Sequence, residues 1–272
     1  MNASTFDGIA NMAANPFGPR YERSRISTIV APQDSTLTPL LHRYEQLLNS
    51  TDRKPKYLFN FLLDFTSHVL DPDEIQRFLV LTTAHERHPL YPTATGGAIT
   101  QLIRNAQAKH NVFALDFTGI KPPEFLCGHL EGSADLRIYI RGNAGDAFAA
   151  NAQYGTYIIE EASDVLGLNA KFGTYFIRRA GNDSFWLAQN AKVYIEGGVQ
   201  DCGVSAEKST FVIRNSPTPL RETVGCTFYR EESVFGSLVT KRYTLDSNHP
   251  TKTLTLDETI ELWDPFNQAF KE

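Results

Sequence analysis

From Ala134 to Phe228 the chain returns to the same kinds of residue every 17 to 19 positions. Tyr139, Tyr157, Tyr175, Tyr194, Phe211 and Phe228 lie 18, 18, 19, 17 and 17 residues apart, each inside a short β-rich run such as RIYI, TYII or TYFI. Asp146, Asp164, Asp183 and Asp201 follow at spacings of 18, 19 and 18, and Asn-Ala pairs recur at Asn151-Ala152, Asn169-Ala170 and Asn190-Ala191. A period this short does not accommodate a helical-pair repeat, and it suits one turn of a β-solenoid. Successive turns of such a coil stack about 4.8 Å apart, so equivalent residues form ladders. Glu160 and Glu161 stand 18 residues before Arg178 and Arg179, which sets opposite charges beside each other on adjacent turns. The reading is a single-stranded β-helix of roughly five to seven turns. An antiparallel sandwich, the competing all-β fold, would not require similar residues to return at one period.

The segment before the repeat has a different rhythm. Leu37, Leu40, Leu41, Tyr44, Leu47 and Leu48 follow the i, i+3, i+4, i+7 spacing of an amphipathic helix, with Ser35 or Thr36 as its cap. Tyr57 to Leu70 is apolar nearly all round and reads as a buried helix. Asp71-Pro72-Asp73-Glu74 reads as a cap, a first-turn proline and acids at the positive end of a third helix, ending before Pro89 and Pro92. A fourth is expected from about Thr95 through Ala108. The organisation is therefore α+β: an arm over 1–34, a helical part over 35–110 that covers the first turn, a β-helix over 111–256 and a lid over 257–272. At that far end, Thr253–Leu256 and Thr259–Leu262 read as short strands, and Asp264-Pro265 as the start of a brief helix.

Each ladder has a structural and a functional reading. The aromatics are the filling or outer brace of a solenoid; read functionally, Tyr139, Tyr157 and Tyr175 with Asp146 and Asp164 form a ligand face for a carbohydrate. One aspartate per turn is too sparse for a calcium ladder. Turn chemistry accounts for these aspartates better, because short side chains bond to backbone amides.

Gly142-Asn143-Ala144-Gly145-Asp146 followed by Gly155-Thr156-Tyr157-Ile158-Ile159 resembles the GXGXG repeat. That repeat builds the right-handed β-helix in the C-terminal domain of glutamate synthase and in one of the subunits of formylmethanofuran dehydrogenase. The resemblance covers about residues 126–215. Gly167 and Gly173 keep the family's turn glycines in the next coil, as Gly155 does in this one, while Ala149 and Trp186 replace one of them. What the resemblance implies is a right-handed coil used as a structural and assembly element. The matched motif holds no catalytic residue to carry over.

Other chemistry is sparse. There is no GxSxG elbow, no phosphate loop and no HExxH. His85 and His88, with His129 and Cys127 further along, could share a metal only if the fold gathered them, and no metal or other cofactor is expected. Cys202 and Cys226 lack a neighbouring base and read as small apolar residues. With 26 basic against 31 acidic residues the net charge is −5, which argues against a phosphate-driven nucleic-acid binder. Three cysteines without a CxxC pair suit a reducing cytoplasm, and no apolar run has membrane-spanning length. The functional expectation is a cytoplasmic, non-catalytic scaffold or assembly protein that presents a solenoid face to a protein partner or to itself. The alternative is an enzyme or carbohydrate-binding protein using the Tyr/Asp ladder or a cleft around Cys127 to Glu131.

Overall fold

The computed structural model describes residues 37–49, 68–197, 199, 201–214, 223–234, 237–244 and 252–271. The arm expected over 1–34 and the part of the apolar helix expected over 57–67 lie outside them. Among the described residues three α-helices precede the coil: α1 (Leu37–Leu48), α2 (Pro72–Thr82) and α3 (Tyr91–Ala106). The α2 start is a capping box, with Asp71 accepting from the Glu74 amide while Glu74 accepts from the Asp71 amide. A short 3-10 turn over Thr83–His85 continues it. The α2 helix ends before Pro89 and Pro92, as expected, but α3 starts at Tyr91 and not near Thr95, so it takes in Pro92. That proline sits in the first turn of α3, where a missing N–H costs nothing.

Nine strands of the described residues follow in chain order in one sheet: β1 (Val112–Asp116), β2 (Arg137–Asn143), β3 (Thr156–Ala162), β4 (Thr174–Ala180), β5 (Lys192–Gly197), β6 (Thr210–Ile213), β7 (Thr227–Val234), β8 (Ser237–Thr244) and β9 (Lys252–Thr253). The first seven pair in parallel, each with the next, so this part is a β-solenoid. Register partners Arg137, Thr156, Thr174, Lys192, Thr210 and Thr227 give turns of 19, 18, 18, 18 and 17 residues. After β7 the coil stops. The β7–β8 and β8–β9 pairs are antiparallel, so the parallel ladder ends in a hairpin.

The interior alternates large and small. Tyr157, Tyr175, Val193, Phe211 and Phe228 form one inward file on the sheet, and Ile140, Ile159, Ile177, Ile195 and Ile213 form another. Elsewhere round the coil the buried file Ala152, Ala170, Ala188 and Ala206 leaves room for the rings. Stacking is close: 4.8 Å between the Tyr157 and Tyr175 centroids and 4.7 Å between Phe211 and Phe228.

The return path of each turn relies on left-handed backbone. Residues at every second position have positive φ: Ala147, Ala149 and Asn151 in one turn, Val165, Gly167 and Asn169 in the next, Asp183, Phe185 and Leu187 in the third. For residues with a Cβ this costs about 1–2 kcal/mol each. The gain is amide direction. Ala147, Val165, Asn151 and Asn169 donate forward to Asp164, Asn182, Leu168 and Trp186 carbonyls, whereas Ala149 and Gly167 donate back to Leu126 and Phe148. Every second amide of the return path thus points in turn up and down the stack, so these donors are satisfied without regular strand.

The helical part closes the first turn. The Gln76 side-chain amide both donates to the Asp116 carbonyl and accepts from the Asp116 amide, as a neighbouring strand would. Along α3, the Pro92 carbonyl accepts from the Glu124 amide, Thr100 Oγ1 accepts from the Cys127 amide, and Arg104 and Gln107 donate to the His129 and Glu131 carbonyls. These bonds occupy backbone groups that would otherwise template another strand. Gly96 is needed for so close a seam, because a Cβ there would lie 1.9 Å from the Glu124 carbonyl oxygen.

The C-terminal segment differs from its expectation. Thr259–Leu262 is not a strand. It lies within α4 (Leu256–Ala269), which is started by a Thr255–Glu258 capping box and carries Pro265 inside. This helix lies on the outer face of the sheet and does not close the last turn. Trp263 and Phe266 are buried against the outward file Ala114, Tyr139, Ile158, Phe176 and Val212. Among the described residues no helix is long and apolar enough to cross a membrane.

Candidate functional site

The residues expected from sequence to form one ligand face occupy three different places. Tyr157 and Tyr175 point into the coil and are fully buried, stacked on each other. Tyr139 pairs with Ile158, not Tyr157, and is buried on the opposite, outward face of the sheet. Asp146 and Asp164 are exposed at the corner, where Asp146 Oδ1 accepts from the Asp164 amide at 3.2 Å and Asp164 Oδ1 accepts from the Asn182 amide at 2.7 Å. Side chains from inside, outside and corner cannot bind one ligand. The aspartates do instead what their turn chemistry requires, linking one rung to the next.

The cause of the split is a one-residue shift. β2 contains a bulge between Ile140 and Asn143, with Gly142 at φ +78, so its register to β3 moves from 19 residues to 18. A shift of one turns an inward side chain outward. Tyr194 is displaced likewise, pairing with Phe176 and Val212 in the outward file. Asp183 aligns with Ala147 and Val165, not with Asp146 and Asp164, and Asn190 aligns with Tyr154 and Phe172. Asn151 and Asn169 are true equivalents, joined by an amide hydrogen bond of 2.8 Å.

The turn glycines have separate reasons. Gly145 (φ +81) passes so near the first turn that a Cβ would stand 1.6 Å from the Pro123 carbonyl oxygen. At Gly167 and Gly173 a Cβ would strike the Phe185 and Tyr175 rings, at 2.4 and 2.7 Å, and at Gly155 it would touch the Tyr157 ring.

The nucleophile and metal candidates are not assembled either. Cys127 and Cys202 are buried, and burial pushes both thiols well above the usual range; Cys226 is raised by the same cause. His85 faces Glu45 at 3.6 Å, His88 Nδ1 accepts from the Leu90 amide, and His129 Nε2 lies 3.4 Å from Asn151 Nδ2. Among the described residues no three of His, Cys, Asp and Glu converge on a point where a metal could sit. The junction around Cys127 to Glu131 is the α3 seam, occupied by Thr100, Arg104 and Gln107.

What the coil does present is apolar. On its return path Leu168, Trp186 and Val204 form one file, with Trp186 39% exposed and the other two half-buried, and Leu187 stands beside Trp186 at 49%. The next corner carries Tyr154 and Phe172, both exposed and stacked at 5.1 Å. Spacing alone carries a trace of this surface, since Tyr154 and Phe172 are 18 residues apart, as are Leu168, Trp186 and Val204. Spacing does not reveal exposure, which depends on which residues of the return path are left-handed. No family model matches the chain, and no curated protein or solved structure matches it.

Proposed function

We propose that this protein is a non-catalytic scaffold or assembly protein of the cytoplasm, presenting the return face of its β-solenoid to a protein partner or to another copy of itself. The observation that carries this reading is two groups of exposed apolar side chains, Trp186 with Leu187 on the return path and the stacked Tyr154 and Phe172 at the next corner, on a rigid coil. Their backbone is held by rung-to-rung hydrogen bonds, so little ordering entropy opposes association. Aromatic side chains are the residues most enriched at binding hot spots. The likeness of Gly142–Asp146 and Gly155–Ile159 to a repeat used in enzyme assembly supports the same reading.

The test is the double variant Phe172→Asp/Trp186→Asp. Light scattering on the pure protein and affinity purification from the native cell should both lose the association seen with the wild type, at an unchanged melting temperature. A wild-type protein that is strictly monomeric, captures no reproducible partner and turns over a small molecule would overturn it.

A further inference from the structure

The outward face of the sheet carries a second, independent interaction surface, which α4 now occupies. Its outermost file alternates in charge from rung to rung: Glu160, Arg178, Glu196, Arg214, Glu231. Arginines therefore recur on every second rung, about 9.6 Å apart at the usual strand spacing. The guanidinium of Arg214 lies 4.0 Å over the Trp263 ring and that of Arg178 lies 4.4 Å over the Phe270 ring. Trp263 and Phe270 are seven residues apart, about 10.5 Å along a helix. Two helical turns and two solenoid rungs are thus nearly commensurate. Between the arginines, Phe266 meets Phe176 and Trp263 meets Tyr194, edge to face at 6.4 Å in both cases.

We infer that this face is a helix-docking groove with a built-in reading frame, and that it accepts α4 of a second copy of the chain in place of its own. The shape and charge of the groove identify the occupant. The groove needs aromatics at i, i+3 and i+7 to fill the apolar file and meet both arginines, and α4 supplies them as Trp263, Phe266 and Phe270. α4 itself carries Asp257, Glu258, Glu261 and Asp264 and no basic residue, so it brings no cation to compete with Arg178 and Arg214 for the ring faces. An identical helix from another copy makes identical contacts, the condition under which exchange between protomers costs least. The tethered helix competes at a high effective concentration, so the intact chain masks its own groove until that helix is displaced.

The experiment uses two full-length chains, both carrying Phe172→Asp/Trp186→Asp to silence the return face, so that failure here leaves the scaffold reading standing. One also carries Trp263→Ala/Phe266→Ala, which empties the groove. The other carries Arg178→Glu/Arg214→Glu, which disables the groove and keeps the helix, with Trp263 as its only tryptophan. Each alone should sediment as a monomer; mixed, they should form a one-to-one dimer with a blue shift of Trp263 emission. A mixture that stays monomeric, with both chains folded by circular dichroism, overturns the inference. A labelled peptide of residues 252–271 provides a second measurement that needs no groove variant. It should bind the Trp263→Ala/Phe266→Ala chain, or Phe266→Ala alone if the double variant does not fold, at least tenfold more tightly than it binds wild type. Moving the last aromatic one place, by Phe270→Ala/Lys271→Phe, should weaken that binding at least fivefold. Equal binding to wild type, no binding, or indifference to the shifted aromatic overturns the inference.

Discussion

The two sides of the one sheet are both apolar, and they are buried by different means. The inward file of Tyr157, Tyr175, Val193, Phe211 and Phe228 is covered by the rest of the same turn, so every rung that forms buries its own apolar side chain. The outward file of Tyr139, Ile158, Phe176 and Val212 depends on a segment outside the repeat, α4, which reaches it with few side chains. The first kind of burial is a property of the coil and grows with each rung. The second is a docking event between two separately specified pieces, and it can fail while the coil persists.

The largest expected effect breaks the coil itself. Gly145→Val combines positive φ with a Cβ driven into the Pro123 carbonyl, and should cost more than about 4 kcal/mol or abolish folding. Lys192→Val, at an exposed strand position, should stay within about 0.5 kcal/mol. Equal melting temperatures would show that the 142–146 corner has room the close Pro123 contact denies it.

A core substitution on each side sharpens the contrast. Phe211→Ala should lower global stability by about 3–5 kcal/mol in a single denaturant transition, since the ring is buried between Phe185 and Phe228. Trp263→Ala should instead release one element. Hydrogen exchange would lose protection over residues 256–269 while β2–β7 keep theirs. Loss of protection across the strands would mean that α4 is part of the cooperative unit.

Alkaline pH probes chiefly the inward side, although burial also raises the hydroxyl pKa of Tyr44 and Tyr91 in the helical part and of Tyr194 in the outward file. Burial raises the hydroxyl pKa of Tyr157 and Tyr175 and the thiol pKa of Cys127 and Cys202 above the ordinary values of 10.0 and 9.0. Above those ordinary values the unfolded chain has released protons that the folded chain retains, so stability falls as pH rises through 9 to 10 and is unaffected by these groups below that window. Urea midpoints compared at about pH 8 and about pH 10.5 should show the loss, and Cys127→Ser/Cys202→Ser should reduce its slope. Tyr175→Phe is a smaller change. The Tyr175 hydroxyl is buried and has no hydrogen-bond partner among the described residues, so removing it should shift stability by less than about 1 kcal/mol, and in the stabilising direction.

The smallest expected effect is on the charged surface. Arg179 and Glu161 meet at 2.7 Å, as their 18-residue spacing predicts, but the arginine is 73% exposed. Arg179→Gln should cost no more than about 0.5 kcal/mol, and less at high salt. A larger loss in thermal unfolding would give the ladder charges a role in holding rungs together.

Much of this architecture is legible in the chain alone. Residues on neighbouring rungs occupy similar environments, so similar side chains return at the rung length. Tyr157 and Tyr175, Asp146 and Asp164, and Asn151 and Asn169 are true equivalents for that reason. The helical part shows its own 3.6-residue rhythm, and Asp71-Pro72-Asp73-Glu74 announces the start of α2. The candidate ligand face is not legible in the same way. It requires knowing the phase of each rung, and phase is lost when one residue is inserted at Gly142 or displaced at Tyr194.

The order of amino acids is enough to specify that a β-solenoid of about 18-residue rungs follows a helical part, because periodicity survives small insertions and hydrophobic rhythm is local. Tertiary structure decided which side of the sheet each aromatic faces, that α3 seals the first rung through its carbonyls and side chains, and that α4 lies along the outer face. Those outcomes turn on single-residue register, on left-handed conformers that no residue type dictates, and on contacts between segments far apart in the chain. Side-chain direction reverses with every residue of strand, so a fold can be periodic in sequence while its surface is set only when the rungs are stacked.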